Sequence, residues 1–196
     1  MCITMELEIN RPMKRNKKPA PRPLTPNQKY SMYEAAVQDA QQHVDFFQKA
    51  GRELLGREPR ILREDFCGTS LICAEWVKRD PQNTAFGLDL DPEPLAHGKK
   101  VHHSKLTKDQ QNRIELFEQN VISKTKKADI TVGCNFSFNI FEERATLVNY
   151  FKKVRESLVD GGLHILEAAG GPGMIEEMKE QKTLKKANGE KWFTYI

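Results

Sequence analysis

Arg60-Ile61-Leu62-Arg63-Glu64-Asp65 runs into Phe66-Cys67-Gly68-Thr69-Ser70, then into Leu71 to Lys78, then into Thr84-Ala85-Phe86-Gly87-Leu88-Asp89-Leu90-Asp91. The order is strand, sharp turn, helix, strand. A short apolar run ends in two acids, a turn of small residues follows, and a helix opens at once. Such a turn brings backbone N–H groups to the positive end of the helix dipole. The second strand ends in acids as well, and Asp89 lies 21 residues after Gly68. At that spacing a βαβ unit sets a carboxylate to accept the hydroxyls of a ribose.

Outward from this unit, helices and strands alternate. Upstream, Tyr30 to Leu55 reads as one helix, with Met32, Val37, Ala40, Val44 and Phe47 near the helical period and Gly56 and Pro59 as its stop. It is expected to lie across the top of the sheet, where Tyr30 and Tyr33 close over a ligand or simply pack. Downstream, Pro92 opens a helix to about Lys105. Lys99, Lys100, His102 and His103 crowd its end, where positive charge is favourable. Adjacent helical residues point about 100° apart, so His102 and His103 are poor joint metal ligands. Arg113 to Gln119 reads as a third strand and Asp129 to Cys134 as a fourth, the latter without alternation, as expected of a strand covered on both faces. A helix from about Glu142 to Leu158 follows, with Leu147, Phe151, Val154 and Leu158 on one face and Gly161-Gly162 as its end. Leu163 to Ala168 is a fifth strand, Met174 to Lys186 a charged helix, and Lys191 to Ile196 the start of a further strand. Alternation of this kind gives an α/β fold with a parallel sheet and helices on both faces. Ligands then sit beyond the C-terminal strand ends, which here carry Glu64-Asp65, Asp89, Asn120 and Asn135-Phe136.

The 196 residues suffice for one domain with a real core, and no apolar run approaches the ~20 residues that span a bilayer. The N-terminus lacks the apolar core of a signal peptide, and Glu6 and Glu8 argue against a transit peptide. Cys2, Cys67, Cys73 and Cys134 show no paired spacing, which argues against disulfides and zinc and for a reducing cytoplasm. No metal is expected. The net charge of +4 is uneven: residues 1–29 hold seven Lys/Arg and two Glu, and the remainder 24 basic and 25 acidic residues. Residues 1–28, with Pro12, Pro19, Pro21, Pro23 and Pro26, read as a disordered basic arm, and 29–196 as the folded domain. Nucleic acid is expected, if anywhere, on that arm; the near-neutral remainder favours a small molecule.

The turn fails the dinucleotide fingerprint, Gly-x-Gly-x-x-Gly. It offers one glycine, and the two acids before it repel a pyrophosphate. A cationic ligand with a ribose suits these residues: acids for the positive charge, Asp89 for the diol. Leu62 to Ser70 resembles motif I of the class I S-adenosylmethionine-dependent methyltransferases, with Glu64 as its acid, and Gly87 to Glu93 resembles the second motif, with Asp89 as the ribose acid. Similarity is strongest to a bacterial subgroup with poorly assigned substrates that carries Arg-Glu-Asp-Phe-Cys-Gly-Thr and Asn-Phe-Ser, over about Tyr30 to Ile196.

The resemblance implies a Rossmann-like, doubly wound, mostly parallel sheet in the order 3-2-1-4-5. It implies S-adenosylmethionine as cofactor, held by Glu64, Asp65, Phe66, Cys67, Gly68, Thr69, Asp89, Leu90, Asn120, Val121, Asn135 and Phe136. Tyr33 and Ser137 are assigned to the substrate side, and no general base is nominated. Phe66 and Ser70 replace the usual first and last glycines of the motif, and Asn120 a common Asp, though its amide still accepts from an adenine amino group. The family's final antiparallel strands are expected to be missing or incomplete, since the chain ends as the sixth strand begins. Two other classes compete: a dinucleotide-dependent oxidoreductase on the same fold, and a non-catalytic cofactor-binding scaffold.

Overall fold

A computed structural model describes residues 23–171 and 181–195. Five strands form one parallel sheet: β1 Ile61–Asp65, β2 Thr84–Asp89, β3 Ile114–Glu118, β4 Ala128–Gly133 and β5 Leu158–Leu166, in the order β3-β2-β1-β4-β5. This is the expected order. β1 is central, and its last residue pairs with Leu88 on one side and Gly133 on the other, so three strands end level at one rim. Strands β1, β2 and β4 are buried almost throughout because helices cover both faces. On one face Val44 and Phe47 of α2 (Ala40–Leu55) and Ile72, Trp76 and Val77 of α3 (Leu71–Arg79) pack on Leu62, Ile130 and Val132. On the other, Tyr150 and Val154 of α6 (Arg144–Glu156) join Phe86, Leu88 and Leu158. Among the described residues, no helix is long and apolar enough to cross a membrane.

Several expected elements shift. The long first helix is two, α1 Pro26–Val37 and α2, broken where Gln38 is extended and Asp39 accepts from the Gln42 N–H at 3.0 Å as the cap of α2. Capping chemistry overrides a continuous apolar face here. Pro26 starts α1 instead of forbidding it: it holds the first helical turn, and Thr25 and Gln28 form a reciprocal capping box. The arm's first 22 residues lie outside the described ones. The helix from Pro92 ends earlier, as α4 Pro92–Val101, before a 3-10 turn at His103–Lys105, and a short α5 Lys108–Asn112 follows behind a second capping box on Thr107.

Gly161-Gly162 does not end α6, which stops at Glu156; Leu158 already belongs to β5. The pairing explains the glycines. Ala128 faces Leu158, whereas Ile130 faces Leu163, so β5 loops out between these points, with Gly161 at φ +74°. At the C-terminal end, β6 Lys182–Lys185 and β7 Lys191–Tyr195 form an antiparallel hairpin apart from the main sheet. The expected charged helix therefore has a strand at its last residues, and 172–180 lie outside the described ones. The run from Lys191 is a strand, as expected, but it pairs with β6 instead of extending the sheet.

Candidate functional site

The turn between β1 and α3 determines the site. Phe66, Gly68 and Ser70 all adopt the left-handed region, at φ 56°, 50° and 54°. The alternate positions where a Gly-x-Gly-x-Gly turn would place its glycines thus keep that backbone with only one glycine present. Holding a non-glycine residue there costs on the order of 1–3 kcal/mol and needs support. Phe66 has it, its ring packing against Phe141 and Tyr150 at 5.9 and 6.0 Å between centroids. Ser70 donates to the Thr69 carbonyl at 2.7 Å and contacts His103 Nε2 at 3.0 Å. The turn is anchored to β2 by the Cys67 N–H on the Leu88 carbonyl at 3.0 Å and by the Gly68 N–H on Asp89 Oδ2 at 2.7 Å. The two motifs assigned from sequence therefore touch directly. Small residues permit this: a Cβ on Gly87 would lie 2.6 Å from Cys67 Sγ, and one on Gly98 of α4 would lie 2.1 Å from the Thr69 carbonyl oxygen.

The two acids ending β1 diverge, because successive side chains on a strand point to opposite faces. Glu64 is 3% exposed and accepts from the Cys73 N–H, in the first turn of α3, at 3.1 Å. Burial, with Asp89 and Asp65 nearby, outweighs the Cys73 thiol and N–H together and pushes its carboxyl up to about 7. Asp65 points to the α6 face, where it accepts from Arg63 Nε at 2.7 Å and from the Tyr150 hydroxyl at 3.0 Å. Burial raises its carboxyl from the ordinary value against the pull of Arg63. Arg63 is itself fully buried, its remaining nitrogens donating to Thr125 Oγ1 at 2.9 Å and to the Val121 carbonyl. Both sulfurs beside Glu64, Cys67 and Cys73, have thiols pushed well up by burial. They are small packing groups here, not nucleophiles.

A cavity of about 240 Å³ opens above this turn. Glu64 to Thr69 form its floor, Asn135 and Ser137 one side, and Tyr30 and Tyr33 of α1 with its C-cap Gln38 the other. Tyr30 is fixed by donating to Glu93 at 2.8 Å, with Lys29 on the same carboxylate at 3.0 Å. Asn135 and Phe136, at φ 53° and 56°, repeat the strained geometry of the facing turn. The Asn135 N–H donates to Glu167 at 2.7 Å and the Ser137 hydroxyl to the Cys134 carbonyl at 2.8 Å.

The other assigned residues stand outside this cavity's walls. Asp89 ends β2 with its second oxygen accepting from the Asp91 N–H at 2.9 Å. Leu90 is exposed beside it. Asn120, just past β3, caps its own turn by accepting from the Ile122 N–H at 3.1 Å, and Val121 is buried in the core. Phe136 is 42% exposed. Sequence reasoning missed Glu34, which accepts from Thr69 Oγ1 at 2.5 Å and contacts His102 Nε2 at 2.7 Å. The fragment Tyr33-Glu34 on a helix crossing the strand ends was the available signal.

No protein-family model matches the sequence, and no curated protein matches it. Solved structures match the fold. The sugar N-methyltransferase KedS8 from Streptoalloteichus sp ATCC 53650 superimposes at a TM-score of 0.64 with 18% identity, over 81% of this chain and 60% of that one. CalS10 from Micromonospora echinaspora, an amino pentose methyltransferase solved with S-adenosylmethionine bound, gives 0.60 with 16% identity, over 74% and 57%. Streptomyces venezuelae DesVI gives 0.67 with 15% identity, over 85% and 67%. The chain thus spans about three fifths of the length of the first two. At these identities the likeness establishes the fold: the protein has the Rossmann-like sheet architecture of these enzymes.

Proposed function

We propose that the protein is an S-adenosylmethionine-dependent methyltransferase acting on a small molecule. The observation that carries this reading is the direct bond from the Gly68 N–H to Asp89, beside a cavity floored by a buried acid. The residues suit such a cofactor. Each oxygen of Asp89 accepts one backbone N–H, which leaves one lone pair on each for the two hydroxyls of a ribose. A Cβ on Gly68 would meet nothing within 4 Å, so the backbone is open to close approach. Glu64 supplies negative charge beneath the cavity, which favours a cation and disfavours a pyrophosphate.

When bound, the cofactor supplies an electrophilic methyl group on a sulfonium. The chain's own residues position it and exclude water. Asp89 would hold the ribose, exposed Leu90 would offer an apolar platform for the base, and Asn120 would stand beside it, while Val121, buried in the core, would support that loop from within. Glu64 and the backbone of Asp65 to Thr69 face the amino-acid end, Asp65 through its main chain only, since Arg63 and Tyr150 occupy its carboxylate. Tyr30 and Tyr33 close one side, and Asn135, Phe136 and Ser137 bound the opening where an acceptor enters. Transfer in line to a positioned nucleophile draws mainly on orientation, so no strong base is required. The names of KedS8 and CalS10 support an amino sugar or similar amine as the acceptor class.

Calorimetry with S-adenosylhomocysteine and, separately, with NAD tests the reading. Binding of the first is expected, and Asp89→Ala is expected to weaken it at least ~100-fold, about 2.7 kcal/mol, while circular dichroism stays unchanged. Binding of NAD alone would overturn the proposal in favour of an oxidoreductase, and binding of neither in favour of a scaffold.

A further inference from the structure

Behind the α1 wall of the cavity lies a second cluster. Glu34 of α1, His97 of α4 and His102, the C-terminal cap of α4, bring one carboxylate oxygen and one nitrogen from each ring within 4.8 Å of one another. Glu34 Oε1 sits 2.7 Å from His102 Nε2, and the Thr69 hydroxyl 2.5 Å from the same oxygen. The rings of His97 and His102 stand edge to face at 6.1 Å. Tyr30 covers His97 at 4.9 Å, leaving it 8% exposed. The decisive detail is at His97: its Nε2 is buried and has no hydrogen-bond partner. A buried polar nitrogen without a protein partner is uncommon, and its free lone pair or proton leaves a position for a water or an ion.

We propose that Glu34, His97 and His102 bind a divalent transition-metal ion of the zinc class, which staples α1 to α4 and to the turn that carries Thr69. Two imidazoles and one carboxylate form a recurrent donor set for zinc, with a fourth position left for water or a hydroxyl. Thr69, already on Glu34, stands where such a hydroxyl or an outer-shell partner belongs. The adjacent pair His102 and His103 is not this site: His103 turns away to Ser70. No cysteine takes part. A comparable group, His43, Cys134 and Glu167, lies under the neighbouring strand ends, but it has no orphaned nitrogen, and its Glu167 is engaged by the Asn135 N–H. The ion's effect is on architecture. α1 contributes Tyr30 and Tyr33 to the cavity, and Thr69 belongs to its floor, so a metal joining them fixes the wall against the turn.

The test uses the whole chain, stripped with a chelator and titrated with Zn²⁺, with metal content by mass spectrometry, and Co²⁺ absorption as a second probe. A single equivalent is expected, with a visible cobalt spectrum and a higher melting temperature when loaded. In His97→Gln/His102→Gln the equivalent is lost and the apo melting temperature holds near that of the wild-type apo protein; His103→Ala keeps it. No equivalent in the wild-type chain, or the same stoichiometry in the double variant, overturns the proposal. The readouts need no cofactor, so zinc binding without S-adenosylhomocysteine binding would sink the methyltransferase reading alone, and the reverse would sink this one alone.

Discussion

Glu64 and Asp65 are neighbours in the chain and opposites in the fold. Asp65 sits on the α6 face inside a closed network in which every oxygen and guanidinium nitrogen that matters has a protein partner: Arg63, Tyr150, Thr125 and the Val121 carbonyl. Glu64 sits on the α3 face with only Cys73, through its N–H and its thiol, set against burial and an acidic neighbourhood. One acid is consumed by structure, and the other is held in deficit beside a cavity. Strand alternation alone produces the split. The difference teaches that a charge buried at a strand end carries functional meaning only after its protein partners have been counted.

The sharpest way to break this comparison is to remove the arginine. Arg63→Ala strands Asp65 in a buried site with only the Tyr150 hydroxyl, and it releases the loop after β3 that Arg63 holds at Val121 and Thr125. The expected loss is about 3–5 kcal/mol in chemical denaturation. Arg63→Met/Asp65→Leu, which removes both charges and keeps apolar volume, is expected to recover most of it. If the single variant lost less than about 1 kcal/mol, the network would not be what holds this face.

Glu64 is expected to behave in the opposite sense. Its folded-state carboxyl lies at about 7, above the ordinary value of 4.5. The folded chain therefore holds that proton more tightly, and this group imposes no penalty below pH 4.5 but a growing one as pH rises towards 7. Glu64→Gln keeps an acceptor for the Cys73 N–H and deletes the charge. Its stability should match the parent at low pH and exceed it by up to about 3 kcal/mol above pH 7. Binding of S-adenosylhomocysteine should weaken in the same variant above pH 7 and hardly below it. A Glu64→Gln chain less stable than the parent at pH 8 would show that the acid is satisfied after all.

Much of this arrangement was legible beforehand, and the reasons differ by element. The parallel sheet followed from the alternation of strands and helices, and the place of Asp89 at the end of the second strand from its spacing to Gly68. The strand order came with the family resemblance, since alternation alone allows more than one order, and the direct bond between Gly68 and Asp89 emerged only in the fold. The break at Gln38-Asp39 was not read from the sequence, because the apolar stripe over Tyr30 to Leu55 runs through it; the Asp39 cap sets it in the fold. Gly161-Gly162 resembled a helix stop because glycines that end a helix and glycines that loop out a strand share one backbone conformation. Arg63 reads as a motif letter until three-dimensional packing places it under the sheet. Glu34, His97 and His102 come from two helices separated by the whole first βαβ unit, and no spacing rule joins them. Phe66 and Ser70 looked like departures from a glycine pattern; the backbone keeps the pattern anyway, because ring packing and the Ser70 hydroxyl bonds support it.

That last point allows the finest test of whether the turn serves a ligand or only the fold. Gly68 is the one glycine of the three alternate positions, with φ +50° and open space where a Cβ would stand. Gly68→Ala adds a methyl that meets no protein atom, so its cost in stability is the left-handed strain alone, roughly 1 kcal/mol. A turn that matters only for folding would register that loss and nothing else. A turn that receives a nucleoside against its backbone would register more in binding than in stability, because the methyl occupies the ligand's approach. We expect S-adenosylhomocysteine affinity to fall at least ~10-fold, about 1.4 kcal/mol, at a stability cost no larger than that of the strain. Equal affinity in Gly68→Ala and the parent would place the ligand elsewhere on the rim and leave Asp89 as a structural anchor of the turn.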